Sequence, residues 1–222
     1  VPLPIPAVAR PVRTDATTDF YEIVQREADQ EILPGLRTGI LGYNGTFPGP
    51  TLVTRSGRKA VITHRNELAV PVAVHLHGGH TPADSDGYPT DLIQPAGRRD
   101  YIYPMRQRAA TLWYHDHRMD FTGPQVYRGL AGFHLITDDE QEALGLPAGD
   151  RDIPLMITDR SFQEDGSFHY PAHHHGGAAD SHMEGVLGDV ILVNGAPWPV
   201  LEVAAARYRV RLLNASSARR YR

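Results

Sequence analysis

With 222 residues, 41% of them hydrophobic, the chain is long enough for one large domain or two small ones and can bury a core. Its formal charge of -4 argues against a nucleic-acid or anionic-membrane surface, both of which favour basic patches, and no apolar run is long enough to span a bilayer. The absence of cysteine excludes disulfides, iron–sulfur clusters, thiolate zinc sites and a cysteine nucleophile within these residues.

The 21 glycines and 18 prolines punctuate short segments, which favours an all-β fold with many turns. Residues 1–18 read as an extended, Pro-rich lead-in, and Val1-Pro2-Leu3-Pro4-Ile5-Pro6 carries no basic head or signal-type apolar stretch. Residues 20–28 alternate as a strand. Residues 43–50 (Tyr-Asn-Gly-Thr-Phe-Pro-Gly-Pro) form a turn cluster, and strands follow at 52–54 and 59–64, joined at Ser56-Gly57. The run 70–77 places Val72, Val74 and Leu76 on one face and Ala73, His75 and His77 on the other. The run 111–117 repeats the pattern less cleanly, with Leu112 and Tyr114 opposite the histidines. A closing strand is expected at 129–136, a short acidic helix at 138–144 and a linker at 145–152. A second set of strands is expected at 153–158, 190–193 and 207–213, with a Gly/His/Ala-rich loop over 171–188. So few strands make an unfinished sheet, so the expectation is that more polypeptide, or a second chain, completes it.

The two His-x-His pairs, His75-Leu76-His77 and His115-Asp116-His117, carry the chemistry. On a strand the two histidines of a pair point the same way, with Cα atoms about 6–7 Å apart. The apolar face lines the domain's own core, so the imidazoles point away from it, toward a seam. Four imidazoles gathered this way suit a metal cluster better than a single structural ion. A cupin needs a glutamate separated from His-x-His by three or four residues, where Thr81 and Pro82 stand here. An amidohydrolase needs a (β/α)-barrel of about 250 residues and a helical rhythm that this chain lacks. A zinc hydrolase mixes carboxylate with histidine and leaves one position open. None of these three explains a second His-x-His.

At these motifs the chain resembles the multicopper oxidases, in particular the bacterial branch of spore-coat laccases, bilirubin oxidases and phenoxazinone synthase. The matching stretches are residues 43–50, Val74-His75-Leu76-His77-Gly78-Gly79, Asp84-Ser85-Asp86-Gly87-Tyr88-Pro89 and Trp113-Tyr114-His115-Asp116-His117. Ile191-Leu192-Val193-Asn194-Gly195 and Arg211-Leu212-Leu213-Asn214-Ala215-Ser216 resemble the family's second domain.

The resemblance implies cupredoxin-like Greek-key β-barrel domains: residues 1–145 as the first with its extended arm, and 146–222 as the opening of an incomplete second. It implies a trinuclear copper cluster held between the first and last domains by eight histidines. His75 matches the type 2 ligand, and His77, His115 and His117 match type 3 ligands. Reduction of O2 to two waters needs four electrons and four protons, and Asp86, nine residues after His77, is the candidate proton carrier. An alternative role for Asp84 and Asp86 is to shape an Asx turn before Gly87.

The chain departs from the family in one decisive respect. A type 1 copper site needs Cys with two His and a weak axial ligand, and there is no Cys. The His-Pro-x-His and His-Cys-His motifs of the last domain are absent too. The expectation is therefore an N-terminal portion of a laccase-like enzyme, inactive alone. Its expected partners are the remainder of the polypeptide or a second chain with the C-terminal cupredoxin domain, O2 and a small aromatic reductant; nucleic acid and membrane are not expected. One alternative is a non-catalytic copper-binding or assembly module; a weaker one is a zinc or manganese protein on another all-β scaffold. Among the remaining histidines, His173, His174 and His175, with His169 and His182, read as a solvated loop, and His64 and His134 as ordinary strand residues. His80 has no ligand role but stands close enough to tune the cluster from outside.

Overall fold

A computed structural model describes residues 1–171 and 185–222. The histidines at 173, 174, 175 and 182 lie outside the described residues. The strands are β1 (Arg13–Thr14), β2 (Thr18–Gln30), β3 (Thr38–Tyr43), β4 (Gly49–Arg55), β5 (Lys59–Asn66), β6 (Val74–His77), β7 (Arg98–Tyr103), β8 (Ala110–Asp116) and β9 (Ala131–Thr137). After them come β10 (Asp152–Phe162), β11 (Phe168–His169), β12 (Val190–Val193), β13 (Ala196–Pro197) and β14 (Arg209–Asn214). Two short helices, α1 (Thr122–Tyr127) and α2 (Asp139–Ala143), interrupt the strands.

Strands β1 to β9 form two sheets, one ordered β1-β2-β5-β7 with β3 also on β2, the other β4-β9-β8-β6. Their apolar faces meet in one core that includes Ile23 from β2, Ile62 from β5, Val74 and Leu76 from β6, Tyr101 from β7, Tyr114 from β8 and Ile136 from β9. Burial of alternate residues is what a strand with one wet or differently packed face requires. The third sheet, β11-β10-β12-β13 with β14 on β10, packs on the opposite face of β9. There Ala131, Phe133 and Leu135 meet Met156, Leu192 and Ala215. β9 is thus buried on both faces, which explains its unbroken Ala-Gly-Phe-His-Leu-Ile run.

The acidic helix forms as expected, started by the Asp138 side chain, which accepts from the Gln141 N–H. The strand expected from residue 70 begins only at Val74. Pro71 has no N–H to give, Val72 makes an isolated bridge to Ile93, and the Ala73 N–H goes to a side chain instead of a neighbouring strand. The helix α1 was not expected, because its Gly123-Pro124 reads as a breaker; Pro124 lies in the first turn, where its missing N–H costs nothing. The lead-in makes isolated bridges along its length: Ala9 donates to the Thr51 carbonyl in β4, the Thr51 N–H donates to Ala7, and Leu3 donates to Val200.

Candidate metal centre

Strands β6 and β8 are antiparallel neighbours, with His75 directly opposite His115 and His77 opposite Trp113. Because Val74, Leu76 and Tyr114 are drawn into the core, the histidines between them must take the other face. Sequence periodicity thus places both pairs on one surface, and the strand pairing brings them together. Ligand nitrogens of His75, His77 and His115 all lie within 4.8 Å of one another. His117 adjoins them, its ring centroid 5.0 Å from that of His75 and 5.7 Å from that of His115. His115 is buried, His75 and His117 are half-buried, and His77 is exposed.

The far nitrogens of two rings are already occupied. His75 Nδ1 lies 2.6 Å from the Asp86 carbonyl oxygen, and His115 Nδ1 lies 2.7 Å from the Asp116 carbonyl oxygen. Each carbonyl can only accept, so each Nδ1 carries the proton and each Nε2 keeps its lone pair. His77 turns Nδ1 toward His115 Nε2 at 3.3 Å. His117 Nδ1 is buried without a hydrogen-bond partner. Burial pushes the His115 pKa down to about 3, against the pull of its bond to the Asp116 carbonyl and reinforced by the other three imidazoles. Burial first, then repulsion from His75 and His117, lowers His77. These two imidazoles stay neutral at pH 7, the form that binds a metal. Trp113 flanks them, its ring 4.1 Å from His115 and 5.4 Å from His77.

Asp86 closes a 3-10 turn (Ala83–Ser85) and brings its carboxylate to the edge of the cluster. Its Oδ1 accepts from Thr81 Oγ1 at 2.8 Å and lies 3.5 Å from His75 Nδ1. The turn is held by main-chain bonds from Ser85 to Pro82 and from Asp86 to Ala83. Gly87 then passes so close behind β6 that a Cβ there would sit 1.9 Å from the Val74 carbonyl oxygen, at a φ of +72°. Asp84 is exposed and gives only its carbonyl oxygen, to Arg99. His80 is exposed and donates its main-chain N–H to Gln107. His64 and His134 are fully buried in the core, where burial lowers each pKa to about 3.

One residue at this centre was not singled out in the sequence. Asp116 is completely buried on the core face of β8, and burial pushes its carboxyl up to about 6, opposed by the bonds it accepts from the Arg118 and Ala73 N–H groups. The signal was available: alternation that turns His115 and His117 outward must turn Asp116 inward, onto an apolar face.

Comparison with known proteins gives the family. A family model described as Multicopper oxidase matches residues 25–141. The chain belongs to the multicopper oxidase family. A laccase of Bacillus stratosphericus is 41% identical over 99% of this chain and 50% of the relative. Cell division protein FtsP of Escherichia coli is 35% identical over 99% of this chain and 45% of the relative. A crystal structure of laccase from Pediococcus acidilactici superposes with a TM-score of 0.89 at 34% identity, covering 97% of this chain and 46% of that one. The fold is therefore the cupredoxin-like one of that family, and the chain spans about half the length of the curated relatives it matches. Among the described residues no helix is long and apolar enough to cross a membrane.

Proposed function

We propose that this chain supplies half of the ligands of a trinuclear copper cluster in a laccase-like multicopper oxidase. The observation that carries the reading is the convergence of His75, His77 and His115 within 4.8 Å, with His117 beside them. In this reading His75 holds the type 2 copper, and His77, His115 and His117 hold the type 3 pair. Residues 1–145 form the first cupredoxin domain and 146–222 the opening of the second. The division is supported by the sheet partition, since β1–β9 end at Thr137 and β10 starts the third sheet at Asp152. The remaining ligands and the type 1 site come from the rest of the polypeptide or from a second chain.

The donor set fits copper. Imidazole is a good ligand for it, and each far nitrogen fixed by a carbonyl sets the tautomer and the ring's direction. Copper bound here supplies one-electron steps that together take O2 to two waters. The chain's own residues bind, orient and move protons. His75 and His115 present Nε2 because their Nδ1–H groups are held by Asp86 and Asp116. Asp86, with 43% of its side chain exposed, touches solvent on one side and His75 on the other. Its carboxylate carries protons from solvent to the cluster edge at Oδ1 or Oδ2. The electrons come from phenols, aromatic amines or bilirubin-like molecules, one at a time.

The test is copper content together with oxygen uptake by the full-length protein on a phenolic substrate. Stoichiometric copper and uptake without accumulated hydrogen peroxide are expected; a protein that retains no copper ends the reading. A second reading, a copper-binding or assembly module without catalysis, draws support from the relative named for cell division. Bound copper with no oxygen uptake and no blue copper–thiolate absorbance selects it.

A further inference from the structure

We propose that Asp116 is the positioning residue that fixes the two His-x-His arms relative to each other, its carboxylate bridging their backbones from the core side. Oδ1 accepts from the Ala73 N–H at 3.0 Å, two residues before His75. Oδ2 accepts from the Arg118 N–H at 3.1 Å, one residue after His117.

The need for such a bridge follows from the strand register. His75 pairs with His115 and Val74 with Asp116, and there the ladder between β6 and β8 ends. One further main-chain bond reaches past it, from the His117 N–H to the Ala73 carbonyl oxygen at 2.8 Å. In a continued antiparallel pair the reciprocal bond would run from the Ala73 N–H to the oxygen of residue 117. Asp116 takes that N–H instead. The backbone is thereby released to turn at Arg118 and enter α1, while His117 stays in line with the other three imidazoles.

Two backbone donors on two segments meet one carboxylate, and both oxygens are used as acceptors. An amide side chain offers one acceptor and would turn its NH2 against the second N–H. Asparagine therefore conserves shape and loses one arm. The bonds are charge-assisted and wholly buried, which makes the link stiff. Its position behind the ligands is that of groups whose loss costs 10- to 100-fold in metal affinity, as an order of magnitude.

This inference rests on the copper reading above, and the experiment separates the two. Full-length wild type and Asp116→Asn are loaded with copper, and bound copper, affinity and the fraction silent in electron paramagnetic resonance are measured beside a thermal melt. The silent fraction reports a coupled copper pair, which depends on ligand spacing and not on the fold as such. The expected result is a folded variant whose cluster affinity falls about 10- to 100-fold and whose silent fraction drops. A folded variant with wild-type affinity and silent fraction overturns the inference and leaves the copper reading standing. Wild type that takes up no copper overturns both. Should Asp116→Asn not fold, Asp116→Glu decides: it keeps both acceptors but displaces the arms by a methylene, so a reduced silent fraction supports the inference and a native one refutes it.

Discussion

His77 Nδ1 faces His115 Nε2 across 3.3 Å, two ring nitrogens on adjacent strands aimed at one another. His115 already donates its Nδ1–H to the Asp116 carbonyl, so its Nε2 offers a lone pair. On the copper reading, both nitrogens would serve as metal ligands, and His77→Ala or His115→Ala would remove a ligand from the centre of the cluster. The expected outcome is loss of bound copper and a fall of at least about 100-fold in oxygen reduction, beyond the usual effect of outlying partners. Metal analysis beside oxygen-electrode rates checks it; full copper occupancy with retained turnover would refute the ligand assignment.

On the proposed reading, Asp86 separates proton delivery from copper binding. Its carboxylate sits 3.5 Å from His75 Nδ1, while its main-chain oxygen accepts the ring proton. Asp86→Asn keeps that main-chain bond and loses only the proton carrier. Copper content should stay at the wild-type level, and turnover should fall by about 100-fold or more, within the range of general acid–base contributions. The decisive measurement is the rate across pH at constant copper load. A profile identical to wild type would take Asp86 out of proton transfer.

Much of this arrangement is legible in the sequence. The period of two in 70–77 and 111–117 requires each pair of histidines to share a face, and the apolar residues between them name the face that is buried. Which strand lies beside which is set by non-local pairing, so the opposition of His75 and His115 is not written in either segment alone. The same holds for Asp86, whose approach to His75 depends on a 3-10 turn and on Gly87 squeezing behind Val74. The start of β6 at Val74 and not at residue 70 is also tertiary. It depends on Asp116, far along the chain, taking the Ala73 N–H.

Gly87 is the backbone condition for that approach. An added Cβ would lie 1.9 Å from the Val74 oxygen, and the φ of +72° is itself unfavourable for a side chain. The contact is with backbone at the first residue of the ligand-bearing strand β6, so the loop must move away. Gly87→Ala should destabilise the protein by about 2–3 kcal/mol or more and withdraw Asp86 from His75. Chemical denaturation gives the first effect, and slowed turnover at normal copper content gives the second. A variant with unchanged stability would contradict the close approach.

The buried histidines away from the cluster make the fold acid-sensitive. His64 and His134 have folded pKa values of about 3, lowered by burial from an ordinary value of 6.5. As the pH falls below 6.5 the unfolded chain takes up protons that the folded one refuses, so stability declines toward acid until about pH 3, where the folded rings also protonate and the loss levels off at its full value. Above pH 6.5 neither state is protonated and these groups contribute no pH dependence. The slope is at most about 1.4 kcal/mol per pH unit for each histidine. Urea melts of the copper-free protein near pH 7 and near pH 5 should show the loss, and His134→Gln should reduce it. Equal stability at both values would mean that these rings are protonated in place.

Arg160 ties the third sheet to the segment that follows His117. Its guanidinium is fully buried and has no carboxylate partner among the described residues; Nε donates to the Tyr127 carbonyl at 2.7 Å, Nη1 to the Asp159 carbonyl at 2.8 Å and Nη2 to the Val126 carbonyl at 3.3 Å. The Val126 and Tyr127 carbonyls belong to the last turn of α1, where the negative end of the helix favours a cation. The ring of Tyr127 lies under the charge at 4.3 Å and that of Phe47 at 5.3 Å. Burial lowers the guanidinium pKa to about 10, so it stays charged at neutral pH. Arg160→Ala removes the donors and leaves a cavity, and should cost about 3–5 kcal/mol. Arg160→Lys keeps the charge but has one point of attachment in place of a fork, so it should recover only part of that loss. Amide hydrogen exchange is the discriminating measurement. Protection should fall first in α1 and in β10, before the core between the first two sheets opens, and exchange that rises uniformly through the molecule would show that Arg160 is no specific link.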